Sequence, residues 1–130
     1  MMRTLKNLWH VAHAAVRERA KRKTRSPKWH AVQKAAIAAH PRCAACGGTT
    51  RLQVHHIQPY HLHPELELDP ANLVVLCASV KNCDHLHIGH GGNFRAWNPA
   101  VRIHAAAILK TPAQRPLVEK AARAGRRVDG

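Results

Sequence analysis

The sequence predicts a small α+β domain, in which a two-stranded antiparallel hairpin is flanked by helices. Two runs rich in β-branched residues lie in the middle of the chain, and segments rich in alanine and other helix formers precede and follow them. The chain has 130 residues but only three Trp, one Tyr and one Phe. A core with so few large side chains buries little apolar area, so we expect an additional cross-link to stabilise it.

The chain begins with a basic segment, residues 1–26, for which we expect a helical arm. It holds eight basic residues and one acidic residue. Its basic residues interrupt any apolar stretch, so we do not expect it to be a secretory signal. An Arg-rich amphipathic segment is also typical of an organellar transit peptide. If the segment is not a transit peptide, we expect the protein to be cytoplasmic. The apolar residues at helical spacing are Leu5, Leu8, Trp9, Ala12 and Val16.

A second helix is predicted between two prolines. Ser26 provides an N-cap and Pro27 suits the first helical position. The helix ends at His40, because Pro41 cannot continue it and restricts the residue before it. Its apolar face is formed by Trp29, Val32, Ala36 and Ile37.

The central segment predicts a strand, a long loop and a second strand. The stretch "LQVHHIQP" begins at Leu52 with strand-like alternation, and "NLVVLC" runs from Asn72 to Cys77. After Cys83, "DHLHIGH" predicts a short helix. Residues 99–130 are mostly helix formers with a break at Thr111-Pro112, and we expect the last, basic piece to be loosely held.

The net charge indicates a polyanionic partner. The chain has 21 Lys and Arg against 7 Asp and Glu, a formal charge of +14. Nucleic acid is the commonest partner of such a surface, and an anionic membrane surface is the competing interpretation. No run of about 18 apolar residues is present, so no membrane span is predicted.

The four cysteines indicate a metal site. In a reducing compartment, two disulfides are not expected. Cys43 and Cys46 form a C-x₂-C turn, and Cys77 with Cys83 forms a wider pair. Two such turns can supply four thiolates to a structural Zn²⁺. The alternatives are a thioredoxin-like redox pair, which lacks the strand–helix context it requires, and four unrelated buried cysteines.

The histidines indicate a second site. Seven of the twelve lie in residues 43–98, and His55 and His56 are adjacent at the end of the first predicted strand. Neighbours on a strand point to opposite faces. One imidazole can therefore bind a metal while the other serves as a general base.

These motifs resemble those of the HNH endonuclease family, whose core is a ββα-metal (His-Me finger) fold. The matching text is "CAACGG…LQVHHIQP", "DPANLVVLC" and "GHGGNFRAWNP", preceded by the helix "WHAVQKA" typical of small phage-type members. The resemblance covers about residues 27–100 and implies a nuclease domain there. Composition predicts a basic helical arm over 1–26 and a helical, basic C-terminal tail over 101–130. The resemblance implies metal-dependent hydrolysis of DNA by a phage or prophage protein.

The resemblance also implies roles for individual residues. His55 and His90 would bind the catalytic divalent ion (Mg²⁺, Mn²⁺, Ni²⁺ or Zn²⁺), with His85 as a third ligand. His56 would be the general base, and Asn72 would hold the loop and orient His56 by a hydrogen bond. The structural zinc would be bound by Cys43, Cys46, Cys77 and Cys83.

The chain departs from these relatives after its last cysteine, where Asp84 precedes His85. This shift leaves His85, His87 and His90 as competing ligands, and Asp84 as a further one. His61 and His63 are interpreted as polar or DNA-facing. The candidate DNA contacts are Arg95, Arg51 and Lys81, with Trp97 either a contact or part of the core.

Two alternatives to an enzyme remain open. One is a non-catalytic, zinc-stabilised module that binds DNA or RNA. The other is an accessory protein beside a phage terminase or another packaging protein, a role that is also compatible with nuclease activity. The binding module does not explain the paired histidines His55 and His56, followed by Asn72 and further histidines.

Overall fold

The computed structural model describes residues 25–129 of the chain. The basic arm expected over residues 1–26 lies outside this part except for its last two residues. Within residues 25–129, no helix has the length and apolar character needed to cross a membrane. The elements are helices and short antiparallel strands, which confirms the predicted α+β class.

Helix α1 spans Trp29–Ala39 and covers one face of the hairpin. Ser26 Oγ accepts a hydrogen bond from Lys28 N at 3.1 Å, so the predicted Ser-Pro start lies just ahead of the first helical turn. The helix ends before Pro41, as predicted. Its predicted apolar face packs on the hairpin through Trp29, Val32, Ala36 and Ile37.

Strands β1 (Leu52–His56) and β2 (Leu73–Cys77) form the hairpin. They are antiparallel, with Leu52 opposite Cys77 and His56 opposite Leu73. Every position of β2 is buried, because α1 covers one face and the larger core cluster covers the other. The two faces of β1 therefore point into different layers of the molecule.

A π-helical segment, His85–Gly89, follows the hairpin. His90 N donates to His85 O at 3.1 Å and to Leu86 O at 3.2 Å. The short helix expected after Cys83 is thus present, but with a wider turn than an α-helix. Such π-turns are rare and occur often at functional sites.

Two helices that contact each other complete the core against the π-helical segment. Helix α2 spans Val101–Lys110 and α3 spans Arg115–Gly125, with a 3₁₀ turn over Pro112–Gln114 at the predicted break. Val101, Ala105, Ile108 and Val118 are buried in the cluster that also contains Ile88.

The C-terminal segment is packed rather than loose, so the expectation that the last basic piece is loosely held is wrong for the described residues. Strand β4 (Arg127–Val128) pairs with β3 (Ala96–Trp97). Gly91 has φ +62°, and a Cβ there would lie 2.8 Å from Ala122 O. Glycine is required at this position because the backbone of α3 approaches so closely.

Candidate active site

Three imidazoles meet between the hairpin and the π-helical segment. They belong to His55 on β1 and to His85 and His90 around the π-turn, and one ring nitrogen from each lies within 4.8 Å of the others. Their ring centroids are 4.7, 4.9 and 5.0 Å apart. The sequence left His85, His87 and His90 as competing ligands; the structure brings His85 and His90 to His55 and leaves His87 outside this group.

Hydrogen bonds fix the direction of two of these rings. His85 Nδ1 lies 2.7 Å from Gln53 Oε1, and His90 Nδ1 lies 2.7 Å from Ala96 O. Because both partners are acceptors, each Nδ1 carries the proton and each neutral ring has its lone pair on Nε2. The two Nε2 atoms face each other at 3.2 Å. Two lone pairs at this distance repel, unless a proton or a metal ion lies between them.

The third imidazole, His55, is almost fully buried. Its Nε2 has no hydrogen-bond partner among residues 25–129. A buried polar nitrogen of this kind is costly unless something binds to it. Gly89 makes room for the ring, since a Cβ there would lie 3.0 Å from two of its atoms.

The electrostatics keep all three rings neutral near pH 7. Burial, followed by His85 and His90, lowers the pKa of His55 well below its usual value. Burial, followed by His90 and His56, lowers the pKa of His85 to about 4. Burial also lowers the pKa of His90, against the opposing effect of its bond to Ala96. Metal ligands must be deprotonated, so these residues are ready to bind.

The donor set fits a divalent metal ion. Three neutral imidazole nitrogens suit Zn²⁺, Ni²⁺ and related ions. A three-histidine set also leaves coordination positions for water and substrate, as catalytic sites require.

His56 lies on the opposite face of β1 and contacts α1. Its ring is 4.6 Å from that of Trp29, and its Nε2 is 3.0 Å from Glu67 O. A carbonyl oxygen only accepts, so Nε2 carries the proton and the lone pair of the neutral ring is on Nδ1. Nδ1 is therefore the atom that can take up a proton.

Asn72 is buried and holds the loop between the strands. Its Oδ1 accepts from Gln58 N at 2.8 Å, and its Nδ2 donates to Gln58 O at 3.1 Å and to Leu66 O at 3.3 Å. The expected hydrogen bond from Asn72 to His56 is absent; Glu67, next to Leu66, contacts His56 instead. Asn72 therefore holds the loop whose Glu67 carbonyl contacts His56.

A second group of metal-binding side chains lies at the other end of the hairpin. Its members are Cys43, Cys46, Cys77 and Asp84, whose ligand atoms all lie within 4.8 Å of one another. Cys83, expected as the fourth thiolate, is outside this group and is partly buried. The group therefore contains three of the four predicted cysteines and an adjacent carboxylate.

The candidate DNA contacts are divided between the two ends of the hairpin. Arg95 is exposed and follows Phe94, which is 63% exposed and whose ring is 5.1 Å from that of His90. Arg51 and Lys81 are exposed at the end of the hairpin that carries the cysteine-rich group (the thiol end). Arg51 lies roughly 13 Å along β1 from His55. Trp97 is buried and belongs to the core.

The two loop histidines lie outside the imidazole group. His61 Nε2 is 2.6 Å from Asp129 Oδ2, and His63 Nδ1 is 2.9 Å from Glu65 Oε1. Both pairs are exposed, so their ion pairing contributes little to stability.

Sequence reasoning missed the partners that orient the histidines. Gln53 could have been found, because it lies two residues before His55 and so shares its face of β1. Glu67 and Ala96 act through backbone carbonyl oxygens, and no side-chain pattern indicates such a role. Arg115, which pairs with Asp84 from α3, is 31 residues away in sequence.

Comparison with known families agrees with the motifs. Residues 43–88 match the family model described as HNH endonuclease. The matched segment contains His55, His56, Asn72 and His85 and ends before His90. No curated protein and no solved structure matches the chain.

Proposed function

We propose that this protein is a metal-dependent endonuclease that hydrolyses phosphodiester bonds in DNA, because residues 43–88 match the HNH endonuclease family model. One observation carries the proposal. One ring nitrogen from each of three imidazoles lies within 4.8 Å of the others, and the neighbouring His56 lies on the other face of the same strand with its Nε2 bonded to the Glu67 carbonyl.

His55, His85 and His90 hold the divalent ion, which is Mg²⁺, Mn²⁺, Ni²⁺ or Zn²⁺. A divalent ion bound there would supply positive charge to the phosphate and stabilise the leaving 3′ oxygen. Gln53 and the Ala96 carbonyl accept hydrogen bonds from Nδ1 of His85 and His90. These bonds keep the lone pair of each ring on Nε2, the atom that would bind the metal.

His56 is the general base. Its Nδ1 takes a proton from the attacking water, while its Nε2–H stays bonded to the Glu67 carbonyl. Trp29 packs against the ring and restricts its rotation. Asn72 acts by holding the loop that carries Glu67, through its bonds to Gln58 and Leu66.

DNA binding comes chiefly from the basic surface. The charge of +14 predicts strong, salt-dependent binding to phosphates with little preference for base sequence. Arg95 is the candidate contact next to the imidazole group; Arg51 and Lys81 would extend the contact along the duplex.

A structural zinc at the thiol end stabilises the domain. The cysteine-rich group links the turn before β1 to the end of β2 and to the residue that precedes the π-helical segment, so a bound ion would cross-link parts of one core cluster. In this proposal the chain has three parts: a basic arm over 1–26, a nuclease domain over 27–100 and a helical basic region over 101–130.

We place the protein in a phage or prophage, acting in the host cytoplasm beside terminase or other packaging proteins. The support is the resemblance of its quoted motifs to those of small phage-type members. Packaging requires DNA to be cut, which the proposed activity would supply.

The test is incubation of the full-length protein with supercoiled plasmid, with and without Mg²⁺, Mn²⁺ or Ni²⁺. We expect metal-dependent loss of supercoils that the His56→Ala variant lacks. Relaxed circles would indicate nicking, and linear DNA would indicate two cooperating sites. Retardation of intact plasmid in every metal would replace the proposal by the non-catalytic binding module.

A further inference from the structure

We propose that Asp84, and not Cys83, is the fourth ligand of the metal at the thiol end, giving a site of three thiolates and one carboxylate. The inference rests on the proposed structural zinc and is independent of nuclease activity. In this site Cys83 does not bind the metal. Asp84 connects the cysteine-rich group to the imidazole group.

The spacing of the donor atoms supports a shared tetrahedral ion. Cys46 Sγ and Cys77 Sγ lie 3.7 Å apart. Asp84 Oδ2 lies 3.2 Å from Cys43 Sγ and 3.4 Å from Cys77 Sγ. Around a tetrahedral Zn²⁺ with ordinary bond lengths, two sulfurs are about 3.8 Å apart, and a sulfur and an oxygen about 3.6 Å apart. The observed distances need to change by only a few tenths of an ångström.

The turn after β2 explains why the aspartate rather than the cysteine reaches the group. Asn82 O accepts from Cys77 Sγ at 2.9 Å and from Ser79 Oγ at 2.9 Å, which closes the five residues between the two cysteines into a tight turn. The chain leaves this turn with Asp84 fully buried and directed at the sulfurs, while Cys83 is only partly buried.

Arg115 orients the carboxylate of Asp84 for metal binding. Its Nη1 donates to Asp84 Oδ1 at 2.6 Å, and its Nη2 is 3.4 Å from Oδ2. One oxygen is thus held mainly by the guanidinium while the other faces the thiols, the arrangement expected of a ligating carboxylate with an outer partner. The positive charge of Arg115 also offsets part of the negative charge of three thiolates and a carboxylate.

The position of Asp84 connects the cysteine-rich group with the imidazole group. Asp84 immediately precedes the π-helical segment, whose first residue is His85. A metal that fixes Asp84 therefore fixes the start of the segment that carries His85 and His90. Ordering of the thiol site becomes a condition for ordering of the imidazole group.

The decisive experiment measures the number of thiolates bound to the metal rather than the enzymatic activity. Full-length protein is loaded with Co²⁺ or Zn²⁺, and the variants Cys83→Ser, Cys77→Ser and Asp84→Asn are prepared in parallel. Co²⁺ bound by thiolates gives a charge-transfer absorption that scales with the number of thiolates, and imidazole ligands do not contribute to it. A thiol reagent then counts the cysteines left unprotected in the native, Zn²⁺-loaded protein.

We expect one reactive thiol in the wild type and none in Cys83→Ser, with the same charge-transfer intensity in both. Cys77→Ser should lose about a third of that intensity, and Asp84→Asn should bind Co²⁺ at least about tenfold more weakly. Loss of about a quarter of the intensity in Cys83→Ser, with no reactive thiol in the wild type, would establish four cysteines and overturn the proposal. Four reactive thiols and no charge transfer in the wild type would also overturn it. If Asp84→Asn fails to fold, the Cys83→Ser comparison still decides whether Cys83 binds the metal, and a fourth thiolate there would overturn the proposal.

Discussion

The Nε2 atom of His56 donates a hydrogen bond to the carbonyl oxygen of Glu67 over 3.0 Å. This bond selects the tautomer in which Nδ1 is basic, and it ties the ring to a loop that Asn72 holds at two other points. The backbone of this loop therefore contributes to the orientation of His56, the proposed general base, and no side-chain pattern in the sequence reveals such a contact.

Replacement of His56 by alanine should lower the rate of plasmid cleavage by roughly 10²–10⁴-fold, the usual contribution of a general base. The midpoint of thermal unfolding should change little, because the ring is only partly buried. The matched control is His87→Ala, a partly buried histidine outside the imidazole group, which should cleave at the wild-type rate. Equal losses in both variants would contradict the assignment.

Replacement of Gly89 by alanine should weaken metal binding by about tenfold or more. The new Cβ would lie 3.0 Å from the His55 ring, so the ring must leave its present position beside His85 and His90. Titration calorimetry with Ni²⁺, on protein whose thiol site is already loaded with Zn²⁺, measures the effect. Gly125→Ala is the control, because no atom lies within 4 Å of its added Cβ. An unchanged affinity for Ni²⁺ in Gly89→Ala would exclude His55 as a ligand.

Replacement of Gln53 by alanine should also weaken Ni²⁺ binding, by roughly 10–100-fold. The variant removes the acceptor that keeps the proton on Nδ1 of His85, so the ring becomes free to turn or to change tautomer. The same calorimetry applies, with Gln114→Ala, an exposed glutamine on the far 3₁₀ turn, as the control. If both glutamine variants bind Ni²⁺ as the wild type does, the hydrogen bond has no role in the metal site.

Replacement of Arg95 by alanine should raise KM for plasmid cleavage more than replacement of Arg51 or Lys81. Arg95 lies beside the imidazole group, and the other two lie at the thiol end. Loss of one phosphate contact should reduce the slope of log affinity against log salt by about 0.9. Gel-shift titrations at several salt concentrations measure that slope. A larger effect of Arg51→Ala or Lys81→Ala would mean that DNA is centred on the other end of the hairpin.

Removal of the thiol-bound metal should destabilise the whole fold. Cys43 and Cys77 belong to the buried core cluster that also contains Leu76 and Ile88, so the bound ion cross-links the core itself. We expect a strong chelator to lower the unfolding midpoint by about 8 °C or more, which corresponds to ~2–3 kcal/mol for a domain of this size. Scanning calorimetry measures the change, and excess Zn²⁺ should reverse it. An unchanged midpoint in the chelated, demonstrably metal-free protein would remove the structural role.

Much of the scaffold could be predicted from the sequence, because it depends on local rules. Helix α1 ends where Pro41 requires it to, and the spacing of Trp29, Val32, Ala36 and Ile37 defines the face that packs on the hairpin. The alternation of β1 places His55 and His56 on opposite faces, which strand geometry alone requires.

The selection of metal ligands could not be predicted in the same way. His85 and His90 are five residues apart, a spacing that an ordinary α-helix does not bring together. Only the π-turn, closed by the bond from His90 N to His85 O, places both rings beside His55. That turn depends on packing of the segment between the hairpin and helices α2 and α3.

The sequence by itself determined which chemical groups are present: imidazoles at a strand end, thiols in a C-x₂-C turn and a strongly basic surface. The tertiary structure decided which of them meet. Asp84 rather than Cys83 joins the thiols because an irregular turn sets its direction and Arg115, far along the chain, holds its carboxylate. Contacts of this kind depend on long-range packing, and no local period in the sequence encodes them.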